Sequence, residues 1–209
     1  MEAMSLKFTS EERSQLTTTF YQQFYEQMCD DNVMTNSIER LRTLGNGRLA
    51  EKVDRLEEIA GDIMDPAKID RLADDLGMQR VLCHGDLWTA NVLWKKNGYK
   101  ELKPAAIIDF QCAHMGCPAS DAVIMILSCL SGKDRRKHWK ELLKYLCDNV
   151  KKEVGNMEMP YTLQQLEEAY SRSLPFMGLT FVPFAVPVLD KMSEDTDTEE
   201  KREVMDDIR

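Results

Sequence analysis

Two short apolar runs, NVLW (Asn91–Trp94) and AAIIDF (Ala105–Phe110), flank an Asn97-Gly98 pair in a chain whose other apolar residues recur at helical spacing. Asn-Gly is the strongest short signal for a hairpin turn, because both residues accept the positive φ that a tight turn between twisted strands requires. This feature sets the expected fold class: α+β, mainly α, with one small β-hairpin near the middle of a helical body.

The helical part carries its own punctuation. Thr9 with Glu12 reads as a capping box, and Leu16, Phe20, Phe24 and Met28 follow at every fourth position as one apolar face. Asn36 with Glu39 marks a second helix start, and Leu49, Val53, Leu56 and Ile63 continue a helical stripe. In DPAKIDRLADDLG, Asp65 is placed as an N-cap and Pro66 in the first turn, with Ile69, Leu72 and Leu76 inward and Gly77 as the stop. After the hairpin the pattern predicts helices over about 120–131 ending at Gly132, over 134–154 ending at Gly155, and one opening at Thr162 with Gln165. In sequence order the chain divides into a helical layer (1–80), a loop-and-hairpin segment (81–115), a helical body (116–192) and an acidic surface tail (193–209).

At 209 residues the chain is long enough for one good core. A net charge of -9 argues against nucleic-acid and anionic-membrane surfaces, both of which reward clustered Lys and Arg. The basic run KDRRKHWK (Lys133–Lys140) reads as the solvated face of a helix that turns Trp139, Leu142, Leu143 and Leu146 inward. Leu174–Leu189 is apolar but shorter than the ~20 residues of a membrane span, and Pro175, Pro183 and Pro187 interrupt it, so a buried, kinked core helix is expected. The six cysteines show no paired C-x-x-C spacing, and no second ligand pair accompanies Cys112, His114 and Cys117 as a structural zinc would need. With no apolar leader in MEAMSLKFTS, these thiols are expected in the cytoplasm.

The chemistry lies in VLCHGDLWTANVLW, Val81–Trp94. Phosphoryl transfer needs a carboxylate to orient a hydroxyl and take its proton, and oxygen ligands for the Mg2+ that neutralises the phosphates. His84, Asp86, Leu87 and Asn91 match H-x-D-L-x-x-x-N, in which the Asp is the base and the Asn a metal ligand. Asp109, after the apolar Ala105–Ile108, is placed at a strand end like the metal-binding Asp of D-F-G.

HGDLWTANVLW followed by IIDFQ and GCPASDA resembles the choline-kinase-like and ecdysteroid-kinase-like small-molecule phosphotransferases, relatives of the aminoglycoside phosphotransferases. RVLCHGDLW, LSGKDRR and MPYTLQQLEEAY are most similar to a nematode branch of that group. The resemblance covers about residues 50–190 and implies the C-terminal lobe of a protein-kinase-like fold. It implies Asp86 as catalytic base, Asn91 and Asp109 as Mg2+ ligands, His84 as a loop-shaping residue, and Asp121 as the buried acid that holds the loop backbone. Gln111 stands at the Gly position of D-F-G, and Ala122 where that family usually carries leucine. ATP and Mg2+ are the implied cofactors, and a small-molecule hydroxyl compound the implied substrate.

A kinase-like enzyme also needs a glycine-rich loop and a strand lysine in a first lobe. LGNGRLA (Leu44–Ala50) fits G-x-G-x-x-A, yet a helical pattern precedes it where a strand is required, so it reads as a helix–helix turn. The first lobe is therefore separate or missing, and the chain is a truncated enzyme, a fragment that pairs with another chain, or an inactive binding module. The retained Asp109 favours truncation from an active ancestor. A metal-dependent phosphohydrolase using His84, Asp86, Asp109 and His114 is the remaining alternative.

Overall fold

The computed structural model describes residues 1–28, 31–47, 49–97 and 101–194. The chain is mainly helical with two small antiparallel sheets, the α+β class expected from the sequence. In space it forms two compact units, Met1–Phe20 with Asp70–Ser173, and Tyr21–Ile69 with the described residues from Leu174 onward. This partition differs from the division in sequence order.

In the first unit, α1 (Glu2–Ser5) and α2 (Ser10–Ser14) lead the chain. The Thr9–Glu12 capping box forms in full, with Glu12 N–H donating to Thr9 Oγ1 and Thr9 N–H to Glu12 Oε2. The helix does not continue along the Leu16–Phe20 stripe, because it stops at Ser14 and the next, α3 (Phe20–Met28), begins anew. Between them the Thr17 hydroxyl accepts from Thr19 N–H and the Thr17 carbonyl accepts from Met115 N–H, so the backbone groups a helix would use are committed elsewhere.

Helix α6 (Pro66–Asp75) ends as expected: Gly77 adopts φ 64° and Met78 N–H returns to the Ala73 carbonyl. Strand β1 (Val81–Cys83) follows and pairs antiparallel with β4 (His114–Gly116), an association too short to leave a periodic signal in the sequence. Val81, Cys83, His114 and Met115 of this pair are buried. The expected hairpin lies between them as β2 (Val92–Asn97) and β3 (Glu101–Ile107), with Val92 opposite Ile107 and a bulge after Leu93 that sets Trp94 opposite Pro104. Gly98 of the Asn-Gly turn lies outside the described residues. Contrary to the expectation of a buried AAII strand, Ile107 and Ile108 are 39% and 40% exposed and Phe110 46%. Val92 is the hairpin's buried anchor, and Leu93, Trp94, Leu102 and Ile107 each stay more than a third exposed.

Helices α7 (Ala119–Cys129) and α8 (Gly132–Val154) complete the body with the first part of α9 (Leu163–Glu194). Gly132 is not the stop of α7 but the first residue of α8. Leu130 turns extended and ends α7, and the Ser131 hydroxyl caps α8 by accepting from Asp134 N–H. Leu143 and Leu166 are fully buried, each worth about 1.5–3 kcal/mol of transfer free energy, whereas Leu142 is 38% exposed rather than inward. Trp139 stacks on Tyr170 with centroids 5.0 Å apart. The Thr162–Gln165 capping box forms, and Gln165 also donates through Nε2 to the Leu76 carbonyl at the end of α6.

In the second unit, α4 (Asp31–Gly47) runs through Asn36 without restarting there. It turns into α5 (Ala50–Ile63) at Gly47, whose φ of 78° confirms LGNGRLA as a helix–helix turn. Met34, Ile38, Val53 and Leu179 form the core, with Leu41, Leu56 and Ile63 packed against it. Pro175, Pro183 and Pro187 lie inside α9, which buries Phe176, Met177 and Val186 and exposes Phe184 and Val188. Among the described residues no helix is long and apolar enough to cross a membrane.

Candidate active site

The loop after β1 is fastened from three sides. First, Asp121 at the start of α7 accepts His84 N–H at 2.7 Å and Gly85 N–H at 2.9 Å, one on each carboxylate oxygen. Burial pushes the Asp121 carboxyl above the ordinary range while these amides pull it back. The acid is therefore spent on backbone geometry.

Second, the fully buried His84 ring bridges the loop to the end of β3. Its Nδ1 accepts Asp86 N–H at 3.3 Å, so the network assigns the proton to Nε2, which donates to the Ile108 carbonyl at 2.9 Å. Phe110 packs on the same ring at 4.6 Å. Both ring nitrogens are thus engaged, which leaves His84 a loop-shaping residue with no nitrogen for a metal.

Third, Gly85 holds φ 82°, and a Cβ there would sit 2.9 Å from Cys112 Cβ and closer still to the Cys112 carbonyl. Only glycine fits between the loop and the short 3-10 turn Phe110–Cys112. This close approach brings the two halves of the site together, and the sequence reading did not single out Cys112 for it.

The remaining candidates sit where these fastenings place them. Asn91, buried on the turn Thr89–Asn91, donates through Nδ2 to the Asp86 carbonyl at 2.8 Å and to Asp86 Oδ2 at 2.9 Å. Its amide oxygen is the atom turned away from these acceptors. The Asn91 carbonyl accepts Ile108 N–H at 3.0 Å, which ties it to the residue before Asp109. Asp109 adopts φ 65° and ψ 63°, and among the described residues no other non-glycine has positive φ. Aspartate tolerates this left-handed conformation better than most residues, and such strain clusters at functional sites. The Cys112 thiol is pushed up by burial first and then by Asp86 and Asp109, so one point in the site feels both carboxylates.

Asp86 and Asn91 are thus joined directly, the Ile108–Asn91 bond ties the residue before Asp109 to them, and the three side chains offer hard oxygen donors. Such donors suit Mg2+, which keeps several waters and takes one or two carboxylates. Among the described residues no group of three or more His, Cys, Asp or Glu forms a metal cage. His114, the other ring of the phosphohydrolase alternative, is buried on β4 opposite Cys83, stacked on Phe20 at 4.4 Å and hydrogen-bonded through Nδ1 to the Cys112 carbonyl. Burial pushes its pKa down. Cys83 and Cys117 are buried free thiols, and burial pushes Cys117 up to about 12. Neither is poised for nucleophilic or metal chemistry.

The chain belongs to the family described as "Uncharacterized oxidoreductase dhs-27" (DUF1679), whose profile matches residues 1–208. It is 30% identical over 148 residues to the "Uncharacterized kinase-like protein D1044.1" of Caenorhabditis elegans, covering 70% of this chain and 38% of that protein. It is 29% identical over 159 residues to the "Uncharacterized oxidoreductase dhs-27" of the same organism, covering 73% of this chain and 19% of that protein. The chain thus spans well under half the length of these curated relatives. No solved structure matches it.

Proposed function

From this family membership and the geometry of the loop, we propose that the chain carries the catalytic lobe of an ATP-dependent, kinase-like phosphotransferase acting on a small-molecule hydroxyl. The observation that supports the reading is the Asp86–Asn91 pair, tied by the Ile108–Asn91 bond to the residue before Asp109, on elements locked together by His84, Gly85 and Asp121. Asp86 is the base: Asn91 Nδ2 fixes one carboxylate oxygen, and the other is left to orient the acceptor hydroxyl and take its proton. Asn91 Oδ1 and the Asp109 carboxylate would hold Mg2+. Bound Mg2+ supplies charge neutralisation at the phosphates, which is most of what phosphoryl transfer asks of a site. The buried free thiols fit a reducing compartment, and we assign the chain to the cytoplasm on that ground.

The kinase-like wording belongs to one relative and the oxidoreductase wording to another, of which this chain covers 19%. A dinucleotide fold would need its glycine fingerprint after a strand. Here the G-x-G-x-x-A match joins α4 to α5, so the described residues favour the phosphotransferase reading.

Calorimetric titration of Mg-ATP into the chain, beside Asp109→Asn, tests the proposal. Asparagine also tolerates the left-handed backbone, so the variant is expected to fold as the parent does. Saturable, Mg2+-dependent binding that weakens at least ~10-fold in the variant supports the site. Absence of binding by the folded chain replaces the proposal with an inactive binding module or a lobe that depends on a partner. Phosphate release from a phosphomonoester by the chain alone would instead favour the phosphohydrolase.

A further inference from the structure

A second site lies against the loop. Within the first unit, α1, α7 and α8 enclose a cavity of about 560 Å3 whose wall includes Leu87, Ala122, Met125, Ile126, Leu146 and Val150. Asp86, Asn91 and Asp109 do not line it. Asp121 does, together with Leu87 and Ile107, and the same acid holds the His84 and Gly85 amides. Asp121 keeps some surface only because the cavity opens onto it; protein surrounds the rest of the side chain.

We propose that this cavity binds an uncharged, predominantly apolar small molecule carrying one hydrogen-bond donor. The volume falls in the ~300–1,000 Å3 range of small-molecule sites, and a mostly apolar wall with a few polar groups is the composition such sites share. The polar groups set the ligand's charge. Glu2 and Asp121 line the wall with the exposed Glu153 at its edge, and acids outnumber the one positive charge, the Met1 amine beside Glu2, so a carboxylate or sulfate would enter against a net negative wall. The acids accept hydrogen bonds and disfavour anions, which selects an alcohol over the fatty acid of equal chain length. Glu2 is held in place by the Tyr161 hydroxyl, which donates to Oε2 at 2.5 Å. A ligand seated here lies against the acid that positions the loop, so its occupancy stiffens that hold without touching the proposed catalytic groups.

The test uses the uncharged dye N-phenyl-1-naphthylamine, whose fluorescence rises in apolar surroundings, displaced by 1-dodecanol or by laurate at pH 8. Dodecanol is expected to displace the dye at least ten-fold more effectively than laurate. Ala122→Phe, which places an aromatic ring in the cavity, is expected to weaken dye binding at least ten-fold while circular dichroism and melting stay unchanged, and Leu146→Phe serves if the first variant does not fold. Asp86→Asn is expected to leave binding as it is. Hydrogen exchange at the His84 and Gly85 amides is expected to slow when dodecanol binds. Equal dye binding by the parent and both cavity variants would assign the signal to the exposed hairpin side chains such as Trp94 and Ile108 and overturn the site. Laurate competing as well as dodecanol would overturn the role of the three acids, and unchanged exchange at the two amides would overturn the contact with Asp121.

Discussion

Replacing Gly85 by alanine separates backbone strain from close packing, because a second glycine supplies the control. Gly85 and Gly77 both hold positive φ, 82° and 64°, so alanine at either position incurs the positive-φ penalty of roughly 1–2 kcal/mol. At Gly77, which closes α6 in a Schellman turn, the nearest atom to the added carbon is the Gln165 amide nitrogen at an ordinary 3.8 Å, and the penalty is the whole effect. At Gly85 the carbon would lie 2.9 Å from Cys112 Cβ, against an ordinary carbon–carbon contact of ~3.5–4.0 Å, and nearer still to a backbone carbonyl that cannot rotate away. Relief requires the loop or the Phe110–Cys112 turn to shift, which adds about 1–3 kcal/mol of overpacking. The Gly85 N–H bond to Asp121 is then stretched as well, so Gly85→Ala is expected to cost about 3–5 kcal/mol against ~1–2 for Gly77→Ala. Urea unfolding followed by circular dichroism gives both values, provided the slopes agree so that midpoints report stability. Equal losses at the two glycines would refute the claim that loop and turn are fitted together at Gly85.

His84→Ala removes a fully buried ring and both of its hydrogen bonds, so the unfolding free energy is expected to fall by about 3 kcal/mol or more, read from the same urea curves. Glu2 gives the pH dependence: burial, opposed by the Tyr161 hydrogen bond, raises its carboxyl from 4.5 to about 7. The folded state then keeps a proton that the unfolded chain releases between these values. Stability attributable to Glu2 therefore falls as pH rises from about 4.5 to 7 and levels above, by no more than about 3 kcal/mol. The difference between the pH–stability curves of the parent and Glu2→Gln should decline across that window, and a flat difference would show that Glu2 is not protonated in the fold.

What the sequence made legible is what fixed local spacing encodes. The His84–Asn91 pattern, the two capping boxes at Thr9 and Thr162 and the hairpin each lie within a few residues along the chain, and all form. The helix breaks were less legible, since Leu16, Phe20 and Phe24 keep their spacing straight across the Thr17–Thr19 interruption. The competitor there is nonlocal, Met115 N–H on the Thr17 carbonyl, and no window of sequence contains both. The same holds for Cys112 against Gly85 and for Glu2 against Tyr161, 159 residues away. Asp121 was reached through resemblance rather than pattern, because an acid in the first turn of a helix reads equally well as a dipole partner.

The two sides of the proposed site differ in how they are supported. Asp86 follows a strand whose Val81 and Cys83 are buried, and its loop is held by Asp121, His84 and Gly85 inside one compact unit. Asp109 follows a two-stranded hairpin whose Leu93, Trp94, Leu102 and Ile107 are all more than a third exposed. An isolated two-stranded ribbon is marginal in water, and this one is tied down at its base by Val92 and by the Ile108–Asn91 bond. The base side is therefore preorganised and the metal side less so. Native-state hydrogen exchange should show it, with the Cys83, His84 and Gly85 amides exchanging near the global unfolding limit and those of Trp94, Lys95 and Lys103 orders of magnitude faster. Mg-ATP, if it engages Asp109, should slow the second group by more than the common slowing that linkage gives to amides exchanging through global unfolding. Equal protection of both groups in the free chain would mean that the hairpin draws stability from something other than its base, and the argument for a half-formed metal side would fall.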